Sequence, residues 1–358
     1  MSPPTPPESG RKRPVTIRDI ARAAGVSAAT VSLALRNNPQ ISAAVRSRIQ
    51  SVARQLGYRP NPLLAAYQAQ VRSLKPVTFQ AAIAWISDHP RDDFWEPPWN
   101  RPLFEGARAR AEALGYTLDP IWIPGLSKED WKANVRQFER VLRARGIHAV
   151  LLPRLDRAHH AVAPWSDFAV ACIGRHRLQI ERSIHPVDAP CEHHTIHQDD
   201  YANTRLALRM LREAGCRRIG LALSIWEDRA TDGLSSAACL RQASEWPAKE
   251  RVPILYRDEP EPVAAWVRKH AVDAVVCSHS DVPKGIELAG RKIPRDVRLA
   301  HLNLAADVAG WSGIDRRPDQ IGSAAVDLVT AHLVRNERGV PPCAKEVLIE
   351  GRWVEGTT

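Results

Sequence analysis

The chain has little of what several large protein classes require. No apolar run approaches the roughly 18 residues of a membrane-crossing helix, so no spanning segment is predicted. The opening stretch MSPPTPPESGRKRP lacks an apolar core, which argues against a secretory leader and predicts a cytoplasmic protein. Six cysteines are scattered without CxxC spacing, a pattern that suits a reducing compartment better than a disulfide framework. The patterns GxGxxG, GxxxxGK[ST] and GxSxG do not occur, and the expectation is a protein without cofactor that is not an enzyme. His185, Cys191, Glu192, His193, His194 and His197 crowd one segment, and close His and Cys side chains can ligate zinc. Their spacing fits no catalytic zinc motif, thirteen histidines make clusters common, and the segment reads as a connection, so no metal is expected. A metal-binding enzyme is the alternative those residues would support.

What is present is unevenly distributed. Residues 1–75 hold twelve basic side chains (Arg11, Lys12, Arg13, Arg18, Arg22, Arg36, Arg46, Arg48, Arg54, Arg59, Arg72 and Lys75) against Glu8 and Asp19. That is the whole formal net charge of +10, and the remainder of the chain is neutral. A basic block on one short segment is the footprint of a polyanion partner. With 358 residues the chain is long enough for two to three folding units. Residues 1–13, rich in Pro, Ser and charge, read as a disordered tail.

Residues 14–59 read as a three-helix head. Thr16 followed by Asp19 resembles a capping box, and Ile17, Ile20, Ala21 and Ala24 share one helical face. Gly25 ends that helix, Ser27 caps a second one running to about Leu35, and a Gly-containing turn between two short helices is a helix-turn-helix. Asn37, Asn38 and Pro39 break the chain. Ser42 then opens a third helix with Val45, Ile49, Val52 and Leu56 as its apolar stripe.

These residues carry a resemblance. Thr16-Ile17-Arg18-Asp19-Ile20-Ala21, Ala24-Gly25-Val26-Ser27, Thr30-Val31-Ser32, Ile41-Ser42, Arg46, Arg48 and Leu56-Gly57-Tyr58-Arg59-Pro60-Asn61 resemble the head of the LacI/GalR regulators. The resemblance implies that the second helix enters the major groove of double-stranded DNA, with Ala28, Ala29 and Leu33 at the base edges. None of the three can hydrogen-bond a base, and the family commonly has Arg where Leu33 stands. Readout is then expected from thymine methyl contacts, from Ser27, Thr30 and Arg36, and from DNA shape. Thr16, Ser32, Arg46, Arg48 and Tyr58 are expected at phosphates or as register-fixing residues. Residues 60–76, including Asn61, correspond to the family's hinge helix, with Tyr67 at the aligned position of the minor-groove wedge and Leu63 or Leu64 in its place if the register slips.

From residue 77 apolar and amphipathic runs alternate: QAAIAWI, LFEGARARAEALG, YTLDPIWI, WKANVRQFERVLRARGI and HAVLLPRL. The rhythm resumes with TRLALRMLREAGCRRIGLALS, EPVAAWVRKHAVDAVVCS and RDVRLAHLNL. Strand and helix at this spacing predict parallel sheets with right-handed crossovers, hence an α/β body of two Rossmann-like lobes. The body resembles the same family's periplasmic-binding-protein-like sensor, which implies a small, sugar-like effector between the lobes. The expected boundaries are 77–180 with 312–338 for the N-lobe, and 190–310 with 340–358 for the C-lobe. Arg229, ahead of Asp232-Gly233-Leu234, falls where the family binds its effector and is expected on a strand-to-helix loop. His279 stands where Asn is frequent and Asn303 where Asp is frequent. Trp85, Asp88, His89, Trp95 and Trp99 follow or end the first strand, where aromatic faces with polar groups suit a sugar-like ligand. The whole resemblance implies a homodimeric repressor on a pseudo-palindromic operator, with no Leu heptads after Trp353 to suggest tetramers. Apolar recognition positions would also suit an architectural, non-specific DNA-binding protein, against which a complete sensor body argues.

Overall fold

The structure, a computed structural model, describes residues 15–35, 38, 40–58, 81–87, 100–122, 131–153, 165–174, 193–257, 259–304, 308 and 310–358. The chain divides near residue 78 into two compact units, a helical head and an α/β body.

In the head, α1 (Ile17–Ala24) starts at a reciprocal cap. The Thr16 hydroxyl accepts the Asp19 N–H at 3.3 Å, and the Asp19 carboxylate accepts the Thr16 N–H at 2.8 Å. Gly25 ends α1 at φ 64°, a conformation without steric cost only for glycine. Ser27 then opens α2 (Ala28–Leu35), its Oγ accepting the Thr30 N–H at 3.0 Å. Helix α3 (Ala43–Gln55) follows Ser42, whose hydroxyl makes no capping bond. Ile20, Ala21, Ala24, Val31, Ala34, Ile49 and Ala53 form the core. Burying each of the larger aliphatic side chains contributes about 1.5–3 kcal/mol. The expected stripe on α3 shifts at its end: Leu56 is 40% exposed, because α3 stops at Gln55 and the chain turns through Gly57.

The body holds two sheets. The strands of the first are β1 (Ala81–Ser87), β2 (Tyr116–Trp122), β3 (Ala149–Leu152), β4 (Ala169–Ile173), β5 (His194–Gln198) and β10 (Glu346–Ile349). They run parallel in the order β10-β5-β4-β3-β1-β2. The crossover helices α4 (Asn100–Ala113) and α5 (Trp131–Ala144) connect β1 to β2 and β2 to β3. Along β1, Ile83 and Trp85 enter one apolar cluster while Ala84 and Ile86 enter another. A parallel sheet covered on both faces requires such near-continuous apolar strands.

Helix α6 (Asp200–Glu213) leads into the second sheet, ordered β11-β9-β8-β7-β6. It comprises β6 (Ile219–Ala222), β7 (Ala274–Cys277), β8 (Arg298–His301), β9 (Gly313–Asp315) and β11 (Arg352–Val354), the last antiparallel to β9. Between β6 and β7 lie α7 (Ile225–Ala230), α8 (Leu234–Ala243) and α9 (Pro260–His270), and α10 (Val282–Leu288) precedes β8. Helix α11 (Pro318–Arg335) returns to the first sheet, where Ile321, Ala325, Val326 and Val329 join the cluster of Ile83 and Leu103. There α11 meets α4 backbone to backbone. A Cβ on Gly322 would lie 2.0 Å from the Leu103 carbonyl oxygen, and one on Gly106 would lie 2.1 Å from that of Asp319.

The expected lobe boundaries need correction. β5 lies between β4 and β10 in the first sheet, so the N-lobe extends to residue 198 rather than ending near 180. The segment His-Thr-Ile-His-Gln carries one aliphatic residue, Ile196, and therefore reads as a connection although Ile196 is fully buried. Likewise β9 belongs to the second sheet, and residues 340–358 are divided between the sheets, β10 in the first and β11 in the second.

Candidate functional site

On the head, the cap at Ser27 decides what α2 presents. Ser27 and Thr30 bond each other through their hydroxyls at 2.8 Å, which leaves Ala28 and Ala29 exposed at the start of the helix. Val31 and Ala34 point into the core, and Ser32 and Leu33 are half-buried. Arg46 and Arg48 stand on α3 and are tied to carbonyls, Arg46 Nη2 to Ile41 at 3.3 Å and Arg48 Nη2 to Ala24 at 3.3 Å. The Arg48 bond holds α3 to the C-terminal turn of α1, where a cation is favoured by the helix dipole. Tyr58 packs against the head core. Thr16 is engaged in its cap and exposed. Arg36, Asn61 and Tyr67 lie outside the described residues.

In the body, Arg229, His279 and Asn303 lie on segments that leave the carboxyl ends of three neighbouring strands, β6, β7 and β8. Such edges are where open α/β sheets bind ligands. Arg229 does not stand on a loop. It sits exposed on α7, a short helix stabilised by Ser224, whose Oγ accepts the Glu227 N–H at 3.1 Å. Its two acidic neighbours have partners elsewhere. Glu227 Oε2 lies 2.8 Å from His279 Nε2 and accepts the Ser278 hydroxyl, and the buried Asp228 accepts the Ser236 N–H at 3.2 Å. Burial raises the Glu227 pKa, but the adjacent His279 imidazole and the hydrogen bond from Ser278, with the charge of Arg316, outweigh it and hold the carboxyl below its ordinary value. Asn303 bonds locally to His301, its N–H 3.2 Å from Nδ1.

Glu227, Ser278 and Arg316 were not singled out as effector residues from the sequence. The Ser224-to-Glu227 spacing is a capping pattern that marks the start of α7, but nothing local ties Glu227 to residue 279. Trp85 is corrected from the binding surface to the core: it is 2% exposed and meets Phe104 edge to face at 5.3 Å, because its position in β1 points it toward α4. Asp88, His89, Trp95 and Trp99 lie outside the described residues. Of the histidine-rich segment, His194 stacks on His332 at 4.2 Å and accepts the Lys345 N–H, and His197 bonds Glu346. The contacts with Lys345 and Glu346 tie β5 to β10, and the stacking on His332 ties β5 to α11. Among the described residues no group of three or more His, Cys, Asp or Glu side chains could hold a metal ion, and Cys172, Cys216, Cys239, Cys277 and Cys343 are free thiols. No described helix is long and apolar enough to cross a membrane.

Residues 16–61 match the family model "Bacterial regulatory proteins, lacI family", and residues 208–358 match "Periplasmic binding protein-like domain". The HTH-type transcriptional regulator GalS of Salmonella typhimurium (strain LT2) is 47% identical over 211 residues, covering 59% of this chain and 54% of GalS. GalR of Escherichia coli (strain K12) is 28% identical over 147 residues, covering 40% of this chain and 38% of GalR. The matched stretch thus spans about half or less of these relatives. Among solved structures, the lac repressor dimer bound to operator and an anti-inducer superposes with a TM-score of 0.50 at 15% identity, over 97% of this chain and 99% of that one. A LacI transcriptional regulator from a Rhodococcus species gives 0.52 at 15% identity, over 77% and 98%. At such identities the agreement concerns the fold.

Proposed function

The chain belongs to the lacI family of bacterial regulatory proteins, and from that premise we propose that it is a sequence-specific repressor of transcription whose operator affinity is set by a small, sugar-like effector. Two copies sit on a pseudo-palindromic stretch of double-stranded DNA, each with α2 in the major groove. Residues 60–76 form the hinge, with Tyr67 as the minor-groove wedge. The observation that carries the reading is the head: a capped α2 offers exposed Ala28 and Ala29 while Val31 and Ala34 anchor it to the core. The basic block of residues 1–75 supplies the phosphate-directed charge, and Thr16, Ser27, Thr30, Ser32, Arg46, Arg48 and Tyr58 keep their assigned roles.

The sensor half of the reading rests on Arg229, His279 and Asn303 at one sheet edge. A guanidinium offers a rigid fork of donors that can hold two ligand oxygens. An effector alters DNA affinity only by discriminating between two states of the body. The test has two parts. Sequences selected from random DNA should share a symmetric motif, bound with an affinity that falls steeply with salt; salt-independent binding would reject the reading. With that operator labelled, fluorescence anisotropy should register a ligand response that Arg229→Ala abolishes. A mutant that responds at wild-type ligand concentrations removes Arg229 from the site.

A further inference from the structure

The edge of the second sheet holds one cation that the sequence did not single out. Arg316 follows β9 directly and is half-buried, and its Nε donates to the Leu302 carbonyl at the end of β8 at 2.8 Å. That bond fixes the plane of the guanidinium. Its two terminal nitrogens have no acceptor among the described residues. The carboxylates on the neighbouring segments are engaged. Asp228 takes the Ser236 N–H, Asp281 takes Lys284, and Asp315 takes the Arg317 N–H and Arg352 Nε.

Glu227 is engaged on one oxygen only. His279 and Ser278 both meet Oε2, and Oε1 has no donor among the described residues. Arg316 lies close enough to influence the Glu227 carboxyl, yet no ion pair joins the two. The edge therefore presents a fixed fork of donors after β9 and, after β6, a carboxylate oxygen without a donor among the described residues. Hydroxyls of a polyol can donate to such an oxygen, while a planar guanidinium pairs best with two oxygens of an anionic group. A neutral sugar would leave the charge of Arg316 unmatched in a site that binding desolvates.

We propose that Arg316 is an effector-binding residue and that the effector is a polyhydroxylated molecule carrying an oxyanion, held at its anionic group by Arg316 and at a hydroxyl by Glu227. This rests on the sensor reading above and names its ligand class. The experiment is calorimetric titration of the full chain at constant ionic strength with D-galacturonate, D-glucose 6-phosphate and neutral D-galactose. At least one anionic probe should bind at least tenfold more tightly than galactose, and the pair distinguishes a carboxylate from a phosphate ligand. Arg316→Gln should weaken the anionic probe about ten- to hundredfold, the worth of a charge-assisted hydrogen bond. Arg316→Lys, which keeps the charge and loses the fork, should fall between, and so keeps the test decisive if the Gln variant does not fold. Arg295→Gln removes an exposed cation paired with Asp296 and should bind as the wild type does. Galactose binding as tightly as both anions, no binding of either anion, or undiminished binding by Arg316→Gln would overturn the proposal. A neutral sugar that changes operator affinity while both anions fail to bind would remove this inference and leave the functional reading standing. Anion binding by a chain that binds no DNA would do the reverse.

Discussion

The head and the body solve different problems of placement. In the head, residues that cap, pack and face outward lie within a few positions of one another, so Ser27 both starts α2 and decides that Ala28 and Ala29 are exposed. In the body, the groups at the candidate effector edge come from positions 227, 278, 279, 303 and 316, and the strands β6, β7, β8 and β9 bring them together. A short head can tolerate changes of surface side chain, since its geometry is local. The body depends on close approaches between elements distant in sequence, and damage far from the edge should reach it.

The sharpest test of that contrast is Gly322→Ala. Its Cβ would stand 2.0 Å from backbone in α4, which no rotamer change relieves. The body should lose about 3 kcal/mol or more, beyond ordinary overpacking. Denaturant unfolding followed by tryptophan fluorescence, which reports only the body because the head holds no tryptophan, measures it. An unchanged midpoint would mean that α4 and α11 are not in backbone contact.

Leu33→Arg probes the head with the next largest effect. A bidentate guanine contact is worth about 1–3 kcal/mol, so selected sequences should gain a guanine at one symmetric pair of positions. A motif identical to the wild type's would mean that residue 33 does not face the groove. Thr16→Ala should cost about 1 kcal/mol by removing the reciprocal cap of α1. The loss should appear in the thermal midpoint of the head and leave the tryptophan-reported transition alone; movement of both transitions would break the proposed independence of the two regions.

The smallest effect concerns pH. The Glu227 pKa is lower in the folded chain than in the unfolded one. Its contribution is present above the unfolded value and is lost as pH falls through the folded value. His279→Gln should therefore reduce the acid sensitivity of the body below the ordinary carboxylate range, seen as a flatter midpoint-versus-pH curve. An identical curve would mean that the His279 contact does not set the Glu227 carboxyl.

Helix starts and stops in the head were legible because capping is a short-range event: Thr16 with Asp19, Gly25 and Ser27 each act within one turn. The strand and helix rhythm of the body was legible for a similar reason, since β1 must be apolar on both faces. Lobe membership was not. β5 has the composition of a connection, and only its pairing with β4 and β10 places it in the first sheet. Trp85 was misread because apolar alternation does not say which face a helix covers.

The amino-acid sequence by itself determined the local elements, the basic head and the kind of surface α2 presents, all consequences of interactions spanning a few residues. Tertiary structure alone decided where the chain passes between sheets, which acid takes His279, and that the Leu302 carbonyl at the end of β8 fixes the Arg316 guanidinium. Those depend on register between strands far apart in the chain, and no local pattern encodes register across such separations.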